Sequence, residues 1–155
     1  VLWSCNLPKK KIRIRVGGVI IKNGKVLLVE HTKDDESYFL APGGGVDFCE
    51  DARTALKREF LEELSIEITP KDIVYVSESI SPDSTRHIFN IIFLCTYKSG
   101  KIKLGSDKRL SGYRYFASEE LDSVTIYPDT LKKSIKEIMH SESAVKIYHG
   151  NSWKK

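Results

Sequence analysis

Gly44-Gly45-Val46-Asp47-Phe48-Cys49-Glu50, continuing as Asp51 to Ile66 (DARTALKREFLEELSI), is the stretch whose reading decides the fold. A glycine-rich approach runs into a segment in which Leu56, Phe60 and Leu64 recur every fourth position, the spacing of one helix face. A helix is therefore expected from about Asp51 to Leu64. Glu59, Glu62 and Glu63 stand at i, i+3 and i+4 within it and share another face. Like charges so placed repel and weaken an isolated helix. A solvated acidic face is the plain reading of such a run taken alone. A hard divalent cation among the oxygens is the chemical one, because Mg²⁺ takes carboxylates, waters and phosphates.

The spacing upstream decides between them. Gly44, five residues, Glu50, seven residues, then Arg58-Glu59-Phe60-Leu61-Glu62-Glu63-Leu64-Ser65-Ile66 closely resembles the Nudix hydrolase signature, G-x5-E-x7-R-E-U-x-E-E-x-G-U with U a bulky apolar residue. Every charged position is filled. Ser65 stands where the family has Gly, Phe60 fills a usually aliphatic slot, and Cys49 replaces a Gly common before the first Glu. Ser in place of Gly just past a helix end costs about 1 kcal/mol if the left-handed conformation is kept. None of the three departures removes a carboxylate.

The resemblance implies an α/β sandwich, a mixed β-sheet held between helices with the loop-helix box at one edge. It implies Mg²⁺ (or Mn²⁺) held by Glu59, Glu62, Glu63 and a backbone carbonyl near Gly43, with Gly44 close to the substrate. The reaction implied is hydrolysis of a diphosphate bond in a nucleoside diphosphate linked to another group, by a water that the metal acidifies. Glu62 or Glu63 is the expected proton acceptor. Glu50 is expected as an outer ligand or as the partner of Arg58, and Arg58 as the group that orients a glutamate. A surface ion pair of little worth is the alternative for Arg58. Many relatives carry a further carboxylate late in the chain; Asp107, Glu78 and Asp83 are candidates without a ranking. Pro82, sixteen residues beyond Ile66, tilts the substrate toward ADP-ribose or a nucleotide sugar, although a plain turn explains it nearly as well. Nucleoside triphosphates and dinucleoside polyphosphates stay open.

The remaining chain bounds this reading. Its 155 residues, 41% hydrophobic and 30% charged, suit one soluble domain able to bury a core. Residues 12–140 are expected as that domain, 1–11 as an arm and 141–155 as a tail. A net charge of +4 favours small anions but is no nucleic-acid footprint. Three widely spaced cysteines match no zinc pattern and suit a reducing cytoplasm. No apolar run is long enough for a membrane span, and VLWSCNLPKKK lacks the apolar region of a signal peptide. The rival functions are a non-catalytic nucleotide sensor, which typically loses box glutamates, and an RNA 5′-end pyrophosphohydrolase. For the latter, KKKIRIR and the terminal WKK are too short a basic surface. A homodimer is compatible with the resemblance and required by nothing here.

Alternation from Ile12 to Val16 predicts a strand with Ile12, Ile14 and Val16 buried and Arg13 and Arg15 on a polar face. Both arginines, and Arg86 beyond Pro82, are candidate phosphate contacts or ordinary solvated residues. Lys22 to Lys25 reads as a hairpin turn around Asn23-Gly24, His31 to Ser37 as a polar loop, and Tyr38 to Leu40 as a strand. Ile66 to Thr69 and Ile73 to Ile80 read as strands about a Pro70-Lys71-Asp72 turn, and Ile88 to Tyr97 as a central strand. Lys98 to Lys101 reads as a turn before a strand to Leu104. Gly112 to Phe116 is a late strand, Ala117 to Leu121 a helical turn, and Pro128 to His140 a final helix with Leu131, Ile135, Ile138 and Met139 inward. In the tail, AVKIYH either pairs as an edge strand or docks on a partner subunit. The four histidines are expected in surface or packed structural roles.

Overall fold

Asn23 and Gly24 both take positive φ (51° and 71°). They close the first hairpin, between β2 (Ile21–Lys22) and β3 (Lys25–Lys33), as an Asn-Gly pair does when the turn must follow the strand twist. The computed structural model describes residues 10–140 and 146–153. Its remaining elements are β1 (Arg13–Val19), β4 (Glu36–Leu40), β5 (Gly43–Gly45), α1 (Ala52–Leu64), β6 (Ile66–Ile80), β7 (His87–Gly100) and β8 (Leu110–Phe116). A 3₁₀ turn (Ser118–Ser123), α2 (Leu131–Met139) and β9 (Tyr148–Asn151) complete the described chain. Most of the expected N-terminal arm and the first part of the tail lie outside the described residues.

Two sheets result. One is mixed, in the order β5-β1-β7-β6-β9, with β1 and β7 parallel, β6 and β9 parallel, and the other neighbours antiparallel. In the other, β3 pairs with β2 and β4 and with β8. The mixed α/β sandwich is as expected, and β7 is its central strand. Two apolar clusters fill it. Ala55, Leu56, Phe60 and Leu64 of α1 pack with Val16, Leu27, Ile66 and Phe93. Leu131 and Ile135 of α2 pack with Val26, Phe39, Tyr75, Ile92 and Phe116. Among the described residues no helix is long and apolar enough to cross a membrane.

The box helix is held at both ends. Asp51 is its N-cap, accepting from the N–H groups of Arg53 and Thr54, which satisfies two of the first-turn donors. At the other end Ser65 takes the left-handed conformation (φ 58°) in the position of the family's Gly, and its N–H donates to Leu61 O. Residues 101–105 form no strand, contrary to expectation. They run beside the helix end, where the N–H groups of Lys103 and Gly105 donate to Leu64 O and Glu63 O (3.0 and 2.9 Å). Carbonyls that a helix terminus leaves open are satisfied by this passing chain.

Three further expectations are corrected. Ile12 and Ile14 are exposed (58% and 45%), whereas Arg15 is drawn inward by bonds to the carbonyls of Ala41 and Gly43. Alternation fixed the two faces of β1, but the face bearing the arginines looks into a cleft. Pro70 to Asp72 make no turn; β6 is continuous from Ile66 to Ile80 and absorbs them as a register shift against β7. Pro70 lacks a donor, and a bulge accommodates it without ending the strand; its carbonyl accepts from Arg53 (2.7 Å). His31 to Ser37 is not a loop but the tight β3–β4 hairpin, turning at Asp34 and Asp35, both at positive φ. Of the two alternatives for the tail, the edge strand is the one observed: Tyr148 to Asn151 pair with β6 in parallel.

Gly18 lets α1 approach the sheet. A Cβ there would meet the Phe60 ring at 2.7 Å and Cys95 Sγ at 2.9 Å. Gly18→Ala should therefore cost about 1–3 kcal/mol by overpacking. In urea denaturation the Gly18→Ala/Phe60→Leu double variant should lose less than the two single losses added together; strict additivity would mean that the two residues do not share this contact.

Candidate active site

Beyond the N-terminus of α1 the chain has come from β5, whose three glycines pair with Arg15, Val16 and Gly17 of β1. The helix face carrying the glutamates is thus laid against a strand without side chains. Gly44 is the closest point: a Cβ there would fall 2.3 Å from the Glu59 carboxylate. Glycine permits that approach with the Glu59 carboxylate where it stands. One turn further along the helix, Glu63 Oε2 accepts from the Gly43 N–H (2.9 Å).

Arg58 ties this arrangement together. Its Nε and Nη2 form a two-pronged bond to Glu50 (2.9 and 2.8 Å), its Nη1 donates to Glu59 (2.8 Å), and Nη2 also reaches Gly45 O (3.0 Å). Charge-assisted, forked bonds are the strongest a guanidinium makes. The bond to Glu50 is the largest of the influences that hold Arg58 above its ordinary pKa, and the same bond holds Glu50 below its own. A surface ion pair does not describe a group with four protein partners. Glu62 is at the margin, 59% exposed and 3.4 Å from Arg58.

Glu63 is the buried member. Burial, opposed by the Gly43 N–H and by Arg15, pushes its carboxyl up to about 7, and the like charges of Glu59 and Asp107 add to the rise. His31 stands 3.9 Å from it. Burial first, then Arg15 and Arg109, lower the pKa of His31, so both shifts run against an ion pair between them. His31 Nε2 is buried and, among the described residues, has no hydrogen-bond partner. A buried polar atom left so is costly. The other histidines have structural contacts: His87 with Glu78, His140 with Lys136 O, and His149 stacked on Tyr75.

Glu59, Glu63 and His31 border a cleft of about 760 Å³. Gly43, Gly44, Gly45, Glu59 and Glu63 line it together with Arg13, Arg15 and Arg86, while Arg58, Glu50 and Glu62 do not. Of the three late carboxylates only Asp107 reaches the cleft, paired with Arg109 (3.1 Å). Asp83 is bound into the Ser81–Thr85 turn, and Glu78 bonds His87 and Tyr148. Sequence reasoning missed Tyr38, Tyr127, Arg109 and Trp153 as lining groups; no local spacing marks them. His31 was legible only as a histidine at the end of an apolar run.

Among the described residues no three His, Cys, Asp or Glu side chains converge as a metal-ready group. Glu59 and Glu63 face Arg58, Gly44 and the Gly43 N–H instead. Their chemistry nevertheless fits a hard cation. Two carboxylates one helical turn apart, one of them held near neutrality by burial and by its neighbour's charge, face a backbone with no side chains in the way.

The comparisons agree with this geometry. The NUDIX domain model matches residues 11–140. An ADP-ribose pyrophosphatase of Methanocaldococcus jannaschii is 30% identical over 97 residues, 62% of this chain and 57% of that protein, so the match spans little more than half of the relative's length. An RNA pyrophosphohydrolase of Pelagibacter ubique is 30% identical over 129 residues, 80% of this chain and 73% of that one. Among solved structures, a MutT NUDIX hydrolase from Burkholderia pseudomallei superposes with a TM-score of 0.72 at 22% identity, over 83% of this chain and 98% of the other. With the family model covering most of its length and the glycine-glutamate-arginine box folded as one unit, the chain belongs to the Nudix hydrolase family.

Proposed function

We propose that this protein is a Mg²⁺- or Mn²⁺-dependent pyrophosphohydrolase of a nucleoside diphosphate linked to another group, with ADP-ribose or a nucleotide sugar as the favoured class. One observation carries the reading: the Arg58-organised carboxylates, set against side-chain-free backbone, open into a cleft that also presents Arg13, Arg15 and Arg109. Cations beside carboxylates suit a substrate that is itself a polyanion and reacts next to a metal.

Glu59, Glu62, Glu63 and the Gly43 carbonyl would hold the ion, which supplies positive charge against the diphosphate and acidifies a water. Arg15, held between the Ala41 and Gly43 carbonyls, and Arg13 would orient phosphate oxygens. Glu62 or Glu63 would serve as the proton acceptor. Glu50 and Arg58 act as positioning residues, fixing Glu59 through the guanidinium. A pocket of this volume suits a single small nucleotide, which favours the small-molecule reading over an RNA end. The archaeal ADP-ribose pyrophosphatase and the bacterial RNA pyrophosphohydrolase stand on either side of that choice.

Glu63→Gln and Glu59→Gln should each lower kcat by about a hundredfold or more with an unchanged melting temperature. Near-normal turnover would remove that residue from the reacting centre. EDTA should abolish release of AMP from ADP-ribose and Mg²⁺ or Mn²⁺ restore it; turnover that persists without metal would overturn the scheme. Arg58→Ala should raise the Mg²⁺ concentration for half-maximal rate by about tenfold or more, since ligand-orienting groups carry effects of that order. A drop in kcat at unchanged metal dependence would assign Arg58 another task. The panel that tests the substrate class contains ADP-ribose, nucleotide sugars, dinucleoside polyphosphates, nucleoside triphosphates and 5′-triphosphate RNA.

A further inference from the structure

The cleft does not end at the box. Strand partners present their side chains on one face, and the register places Arg15 beside Asn90 and Asn90 beside Ser77, with Arg13, Ile88 and Ser79 in the next row. Arg13, Arg15, Ile88, Asn90 and Ser79 all line the cavity. Its floor therefore runs across the mixed sheet, from β5 over β1, β7 and β6 toward β9. Four strand spacings at about 4.8 Å each make roughly 19 Å, long enough to lay out a base, a sugar and a diphosphate in a line.

At the far end stands Trp153. It lies beyond residues 11–140 that the family model matches, yet its placement is built. The β9 backbone adds to β6 through Val76 N–H to Ile147 O (2.7 Å) and Ser152 N–H to Glu78 O (2.8 Å). Asn151 Oδ1 accepts from the N–H groups of Ile80 (3.1 Å) and Trp153 (3.2 Å), and His149 stacks on the fully buried Tyr75. The anchored strand delivers a half-buried indole to the cleft wall, where the Arg86 guanidinium lies 5.9 Å from its ring centroid. Besides pairing with the sheet edge, this segment therefore places an aromatic ring on the cavity.

We propose that Trp153, assisted by Arg86, is the nucleobase platform of this cleft, so that the segment after α2 supplies the base recognition and the box supplies the phosphate chemistry. Flat π-surfaces and guanidinium planes stack on bases. The diphosphate then falls across Arg13 and Arg15 toward the glycine strand. This assignment rests on the pyrophosphohydrolase reading only for the direction in which the substrate lies; base binding itself does not require turnover.

The test is a titration of the full chain in Mg²⁺-free buffer. The chain has two tryptophans, so Trp3→Phe leaves Trp153 as the sole indole emitter. AMP should change its emission saturably, and ribose 5-phosphate, which has the same sugar and phosphate but no base, should not. By calorimetry Trp153→Ala should weaken AMP by about tenfold or more, the scale of one lost base stack, and Trp153→Phe by only about threefold. Emission unmoved by AMP overturns the platform. So does a Trp153→Phe loss equal to that of Trp153→Ala, or an equal loss for ribose 5-phosphate. Base-dependent binding in a protein that hydrolyses no diphosphate would sink the enzyme reading and leave the platform standing. Strong hydrolysis with KM unchanged in Trp153→Ala would do the reverse.

Discussion

The Arg58 guanidinium is the constraint on which the site depends. Its forked bond to Glu50 joins the loop ahead of α1 to the helix itself, and its remaining donors take Glu59 and the Gly45 carbonyl. One planar cation thus fixes three separate pieces of backbone relative to each other. The geometry explains why the box needs its charged residues at fixed separations. Eight residues from Glu50 to Arg58 bring the loop carboxylate onto the guanidinium, and four from Glu59 to Glu63 set both carboxylates toward β5. It also explains the glycines. A side chain at Gly44 would displace the Glu59 carboxylate from the place where Arg58 holds it.

Electrostatic tension follows from the same packing. Glu63 and Arg15 are both taken from water beside each other, and burial moves both pKa values toward the uncharged forms, with each charge opposing the other's shift. His31 is drawn into the same dry region and driven toward its neutral form. Groups left this way gain most from a ligand that brings charge and hydrogen-bonding capacity together. A phosphate beside a cation is such a ligand, and it would give the orphaned His31 Nε2 something to bond. The site is thereby poised for polar occupancy in a way that a core sealed by apolar contacts is not.

What was legible in the sequence is what depends on short range. The box helix, its apolar stripe, its glutamate face and the Asn-Gly hairpin all follow from periods and neighbours within one or two turns, and all are present. The partnership of Glu50 with Arg58 is one of the two roles that the resemblance implies for Glu50. The errors lie where distant chain decides. The arginine face of β1 was correctly separated from the isoleucine face, but which of them looks toward water depends on a cleft assembled from six or more strands and loops. Pro70 reads as a turn until a long partner strand holds the register on both sides of it. Residues 101–105 have strand-like alternation, yet the open carbonyls at the end of α1 capture them first.

The same logic bears on where specificity can reside in such a fold. The carboxylate end of the cleft is written within one contiguous stretch, so its chemistry is carried as a unit and can be read as one. Other lining residues come from parts of the chain with no spacing rule between them: Tyr38 on β4, Arg86 before β7, Tyr127 before α2 and Trp153 after β9. Tyr38 and Tyr127 meet edge to face at 5.3 Å, and Arg86 lies by Trp153. None of the box's hydrogen bonds passes through them. On the proposed assignment of Trp153, recognition of the base falls to the loops and the last strand, the parts that a motif leaves unread.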